Sequence, residues 1–233
     1  MSNVNFSNAL IVGAGQGLSA SLARLLARNG LKVTLASRTT DDLDPLVKEI
    51  GGRAMACDAS KPDAVIKLFA ELEAAGGAPD VVVYNASYRT RGPVAELDPS
   101  EVEKSLIVSA FGGFLVAQEA VRRMLPRRHG AILLTGASAS VKGYAQSAPF
   151  AMGKFALRGL AQSLARELQP QGIHVAHFVI DGGIGGARRP ESPDKPDSML
   201  DPDAIALSYL HVLQQHRSAW TWEIELRPWV EKF

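Results

Sequence analysis

Gly13, Gly15 and Gly17 fall directly after the apolar run Asn8-Ala-Leu-Ile-Val12 and directly before a stretch carrying Leu18, Leu22, Leu25 and Leu26 at helical spacing. Glycines between a strand and a helix let the backbone turn tightly and let a phosphate approach the N–H groups of the helix start. That turn, with Gln16 and Leu18, is a candidate dinucleotide-binding site. The next apolar run ends at Ser37 and Arg38. A carboxylate there would accept from a ribose 2′-OH; a hydroxyl and a guanidinium can instead pair with a 2′-phosphate, which favours NADP(H) over NAD(H). Farther along, Lys154 stands four residues after Phe150, with Ser138, Ser140 and Tyr144 shortly before them. Serine hydroxyls can polarise a carbonyl but cannot easily supply a proton near neutral pH without a base. The 5 histidines show no metal-ligand spacing. His174 and His177, three apart on one strand, face opposite ways, so no metal site is expected.

Holding these groups together requires alternating strands and helices. Strands are predicted at Asn8–Val12, Lys32–Ala36, Arg53–Cys57, Asp80–Tyr84, Ala131–Thr135, Ile173–Ile180 and near Thr221–Leu226. Helices are predicted after the glycine turn, at Asp42–Ile50, Asp63–Ala75, Pro99–Met124, Pro149–Leu168 and near Asp203–Gln214. The apolar run ending at Tyr84 has so little polar relief that both of its faces must be covered. The expected fold is α/β, a Rossmann-type doubly wound parallel sheet of seven strands with helices on both faces, in one domain over residues 1–233. Residues 181–202 hold no apolar periodicity and read as a flexible substrate lid.

In this order the motifs resemble the short-chain dehydrogenase/reductases over nearly the whole chain. Gly13 and Gly17 match that family's T-G-x-x-x-G-x-G turn, with Val12 at its Thr and Ser19 at its last Gly. Asp58, with Ala59, resembles its adenine-contacting Asp, and Asn85-Ala86-Ser87 its N-A-G. Lys154 matches the Lys of Y-x-x-x-K, and Gly182 and Ile184 fall in its P-G-x-aliphatic segment. The resemblance implies that these residues line a nicotinamide dinucleotide. It also implies a Tyr as proton donor, a Lys that lowers that Tyr's pKa and binds the nicotinamide ribose, a Ser that polarises the carbonyl, and an Asn that holds a relay water. Here the Tyr position is Phe150, the Asn position Ser109, and the Ser position falls between Ala137 and Ser138. Phenylalanine has no ionisable proton, so Tyr144 is a candidate substitute. Two readings follow. One is an oxidoreductase acting on a carbonyl/alcohol pair or an activated alkene with an altered acid; the other is a catalytically impaired nucleotide-binding protein, a cofactor sensor or assembly partner.

Composition limits the partners. With 25 basic and 24 acidic residues the formal charge is +1, which leaves no electrostatic footprint for nucleic acid. No apolar run approaches the length of a membrane span, the start lacks a signal-peptide pattern, and the single Cys57 suits a reducing compartment, so a cytoplasmic setting is expected. Small residues at helical spacing (Ala110, Gly113, Ala117, Ala120; Ala156, Gly159, Ser163) permit close helix packing, and in the resembling family these two helices form a dimer interface. A homodimer or homotetramer is expected. Trp220, Trp222 and Trp229 suggest a tail packed on the substrate pocket or on another subunit.

Overall fold

The structure, a computed structural model, describes residues 6–186 and 189–231. The chain runs β1 (Asn8–Val12), α1 (Leu18–Arg28), β2 (Lys32–Ser37), α2 (Asp44–Ile50), β3 (Arg53–Ala56), α3 (Pro62–Ala74) and β4 (Val81–Tyr84). It continues through α4 (Pro99–Leu106), α5 (Gly112–Met124), β5 (Gly130–Thr135), α6 (Ala148–Leu168), β6 (Ile173–Ile180), the short β7 (Gly183–Ile184) and β8 (Met199–Leu200), α7 (Pro202–Leu213) and β9 (Glu223–Leu226). Seven strands make one parallel sheet in the order β3-β2-β1-β4-β5-β6-β9.

Every residue of β4 and β6 is buried. Alternation sends Val81 and Val83 into the apolar layer under α1 and α7, and Val82 and Tyr84 into the layer under α3, α5 and α6. A strand clad on both faces has no polar face to display, which is why Asp80-Val-Val-Val-Tyr84 reads as an unbroken apolar run. Strand order reverses between β1 and β4, and a crevice opens beyond the carboxyl ends of strands at such a point. All the glycine-turn and post-strand candidates lie at that end.

The long helix predicted from Pro99 to Met124 is interrupted by a π-helical turn, Ile107–Phe111. Tyr84 reaches up from β4 and its hydroxyl donates to the Val108 carbonyl. A Cβ at Gly112 would stand 2.4 Å from that hydroxyl and 2.8 Å from the Ala59 carbonyl oxygen, so the helix is drawn onto the sheet where only glycine fits. The wider turn frees the Val108 carbonyl for its side-chain donor. By length and composition alone, Pro99–Arg127 could cross a membrane, which corrects the expectation that no stretch approaches that limit. Half of its most apolar window is buried in the fold, as in the core helix of an α/β protein.

The segment after β6 is not featureless: β7 and β8 pair in parallel, Gly183 with Met199 and Ile184 with Leu200. Two-residue strands are too short to show a period. In the tail, Trp222 packs against the core, Trp220 stacks on His174 with ring centroids 4.6 Å apart, and Trp229 is 82% exposed. Trp229 reaches the segment after β6, where its Nε1 donates to Asp197 at 3.2 Å.

Candidate active site

Gly13 holds φ +83°, and a Cβ there would lie 2.3 Å from the Ala86 nitrogen. The turn between β1 and α1 is therefore pressed onto the loop after β4, which only glycine permits. Gly15 and Gly17 have open space where a side chain would stand, and Gly17, at the N-cap of α1, offers no side-chain cap. By contrast, α7 is capped by Asp201, which accepts from Asp203 N at 2.7 Å and Ala204 N at 2.9 Å. The start of α1 is thus an uncapped, glycine-walled cradle, the form that receives a phosphate.

Side chains around the turn point elsewhere. Leu18 is in the core, and exposed Gln16 donates to the Asp42 carbonyl at 3.1 Å. Ser19 is buried; its hydroxyl donates to the Gly13 carbonyl at 3.2 Å and accepts from Asn85 Nδ2 at 2.7 Å. It ties the turn to the β4 loop rather than projecting into the cradle.

Beside the turn lies a cavity of about 250 Å³, lined among others by Gly13, Ser37, Arg38, Asp58, Ala59, Asn85, Ala86 and Ser87. Burial raises the pKa of Asp58, but Ser60, through its hydroxyl at 2.7 Å and N–H at 3.0 Å, outweighs this together with Lys61 and Arg38, and the net shift is downward. Arg38 has no carboxylate within salt-bridge distance among the described residues. The residues present fit a dinucleotide: the cradle would take its phosphates, and Ser37 and Arg38 border the cavity beside it.

Asn85 and Ser87 also border a second cavity, about 590 Å³, that contains Ser138, Tyr144, Phe150, Lys154, Gly182 and Ile184. Lys154 is 3% exposed and its Nζ donates to the Thr135 carbonyl at 2.8 Å. Burial without a carboxylate partner pulls its pKa down to about 8. The Phe150 ring centroid lies 5.8 Å from Lys154 Nζ and 5.0 Å from the Arg89 guanidinium carbon. Tyr144 is half exposed at the rim.

Ser109 is placed differently from the other candidates. It is fully buried on the π turn, lines neither cavity, and its hydroxyl lies 3.3 Å from Tyr88 N and 3.4 Å from Tyr88 O. A Cβ at Gly153 of α6 would be 2.8 Å from Ser109 Cβ, so the residue is wedged between α6 and the loop after β4. It braces the loop that carries Arg89.

Two polar groupings lie behind the second cavity, and one of them takes up Ser140, a hydroxyl expected to be able to polarise a carbonyl. Asp181 is buried, with Lys142 Nζ at 2.7 Å and Arg227 at 3.5 Å. Burial raises its pKa, but Lys142, the Ser138 hydroxyl and Arg227 together bring it below the usual value. Ser140, His177 and Glu223 form a chain, with His177 Nε2 3.3 Å from Ser140 Oγ and Nδ1 3.0 Å from Glu223. Types and order imitate a nucleophilic triad, but Ser140 and His177 are both 0% exposed, which bars a substrate. Burial lowers the His177 pKa to about 4, so the ring is neutral and props the Gly136–Ser140 turn that presents Ser138.

The profile of the short chain dehydrogenase family matches residues 7–186. The chain belongs to that family. A short-chain dehydrogenase structure from Rhodopseudomonas palustris is 35% identical, with a TM-score of 0.82 over 96% of this chain and 99% of the other. A metagenomic short-chain oxidoreductase in complex with NADP is 28% identical, with a TM-score of 0.83 over 95% of this chain and 97% of the other. Oxidoreductase UcpA of Salmonella typhimurium is 29% identical, covering 89% of this chain and 82% of the relative. This short-chain dehydrogenase is thus an oxidoreductase of a family that uses nicotinamide cofactors and acts on small molecules. What sequence reasoning missed in the site are Arg89, Arg91 and Arg189, all on the second cavity. A signal was present: Arg89-Thr-Arg91 follows Asn85-Ala-Ser-Tyr at the functional end of a strand.

Proposed function

We propose that the protein is an NADP(H)-dependent oxidoreductase that interconverts a carbonyl and an alcohol, with Lys154 as the proton donor where the family pattern has tyrosine. The observation that carries this reading is the buried Lys154, lowered to about 8 and set on the substrate cavity beside Phe150. A group with that pKa is protonated at neutrality yet releases its proton readily. The nicotinamide, when bound, supplies or accepts hydride. The chain's own part is to hold the carbonyl near Ser138, to deliver from Lys154 the proton that makes the O–H bond as the carbonyl π bond breaks and carbon takes up hydride, leaving a C–O single bond, and to keep Lys154 fixed through Thr135. An activated alkene would need the proton at carbon instead.

Preference for NADP(H) rests on Arg38 lining the first cavity with no carboxylate within salt-bridge distance among the described residues, and on Ser37 occupying the end of β2. Calorimetric titration is expected to give NADPH at least ~10-fold tighter binding than NADH, and Arg38→Asp is expected to reverse the order. Equal affinities in the native protein would refute the preference.

Phe150 favours a second reading, a cofactor-binding sensor or assembly partner that has lost turnover. Such a protein would bind NADPH with native affinity yet consume none of it across a broad carbonyl and enone panel.

The long helices also present an apolar face. Phe111 is 44%, Phe114 40%, Met152 49% and Phe155 44% exposed, on the π turn, α5 and α6. We assign this face to a homodimer contact, alone or within a tetramer. Light scattering at micromolar concentration should give twice the 24.9 kDa chain mass or more, and Phe155→Glu should lower it. A native monomer would overturn the assignment.

A further inference from the structure

The second cavity is electrically one-sided. Arg89, Arg91, Arg189 and Lys154 line it, and among the described residues no aspartate or glutamate does. The chain as a whole is nearly balanced, with 25 basic and 24 acidic residues, so four cations without an acid is a local departure. Arg24, Arg122, Arg123, Arg127, Arg158 and Arg227 each have a carboxylate within 4.0 Å, whereas Arg89, Arg91 and Arg189 have none among the described residues. Two separate segments bring them together: the loop after β4 carries Arg89 and Arg91, and the segment between β7 and β8 carries Arg189. The cost of this convergence shows in Arg89, whose pKa is lowered first by burial and then by the charges of Arg91 and Arg189. Guanidiniums gathered in a concavity without a counter-charge are the arrangement that receives an anionic oxygen group in a bidentate manner.

Resting on the oxidoreductase reading above, we infer that the substrate carries a carboxylate or phosphate, held by Arg89, Arg91 and Arg189, close to its reacting carbonyl or alcohol carbon. Closeness follows from Arg89, whose guanidinium carbon is 5.0 Å from the centroid of Phe150, beside Lys154 and Ser138. Only a few bonds can separate the anionic group from the reacting carbon, so the substrate class is a short oxo-acid or hydroxy-acid, or the corresponding phosphate ester. The three arginines orient the substrate; a bound nicotinamide would exchange hydride with its carbon, and Lys154 would supply the proton.

The test uses the full chain and the double variant Arg89→Met/Arg91→Met. Both arginines lie outside the apolar core, at the cavity, so the substitution leaves the core untouched. With NADP⁺ present, oxalate and inorganic phosphate are titrated by calorimetry. With NADPH, short 2-oxo and 3-oxo acids and oxo-alkyl phosphates are compared with their uncharged methyl esters. The expected results are binding of at least one anion, weakened ~10- to 100-fold in the double variant, and a preference for the charged substrate over its ester that collapses by the same factor. NADPH affinity should be unchanged. The assignment is overturned if ester and acid react equally, if neither anion binds, or if the double variant weakens NADPH by the same factor, which would give the arginines to the cofactor. Anion binding lost in the variant with no turnover of any substrate would leave the anion site standing and remove the oxidoreductase reading instead.

Discussion

Replacing Lys154 with methionine is expected to lower kcat for carbonyl reduction by ~10²- to 10⁴-fold, the usual contribution of a positioned general acid. The fold should not suffer. Lys154 is a buried cation that donates to the Thr135 carbonyl, and burial pulls its pKa down to about 8, so the site disfavours the charge. An apolar chain of similar length removes that desolvation cost, so thermal stability should hold or rise. A structural role predicts the opposite pattern, with stability falling and activity following it. In the native enzyme the pH profile identifies the same group. Carbonyl reduction needs Lys154 protonated, so kcat/KM should be level below about pH 8 and fall tenfold per pH unit above it. Retention of native kcat by Lys154→Met would exclude lysine as the donor and leave Tyr144 as the alternative hydroxyl on the cavity.

The framework was legible because a parallel sheet covered on both faces writes itself as short apolar runs alternating with amphipathic stretches. Val81 to Tyr84 and Ile173 to Ile180 are such runs, and their limits follow from where polar or glycine residues resume. The glycine turn was equally plain, since Gly13 must take a positive φ against Ala86. The π turn was not. It depends on Tyr84 meeting the Val108 carbonyl across 24 residues, and helix periodicity carries no record of that contact. Ser109 illustrates the consequence: its place in a motif is readable, but the turn buries it against Gly153 and Tyr88. The arginine cluster is hidden for a related reason. One charged residue after a strand looks like any solvated cation, and only the approach of the segment after β7 to the loop after β4 makes three of them a site.

Restoring a phenol with Phe150→Tyr is the opposite experiment, and kcat/KM for ketones is expected to rise by ~10² or more. The ring already lies against Lys154 and Arg89, at 5.8 and 5.0 Å from its centroid, so a new hydroxyl would ionise beside two cations. Both favour the phenolate, which moves a group of ordinary pKa near 10 towards neutrality. The cavity beside the ring gives the hydroxyl room without disturbing the core. The alkaline limb of the rate profile should then shift from that of Lys154 to that of the Tyr–Lys pair, read as a pair and not as either residue. The size of the gain separates the two readings of the native chain. A native enzyme with measurable turnover that improves in the variant is an oxidoreductase working with a weaker acid. A native chain with none, converted by this one hydroxyl, is a cofactor-binding protein whose chemistry stops at Phe150. If the variant folds, binds NADPH and still shows no gain, the missing hydroxyl is not what limits the reaction, and the substrate requirement set by Arg89, Arg91 and Arg189 becomes the controlling feature.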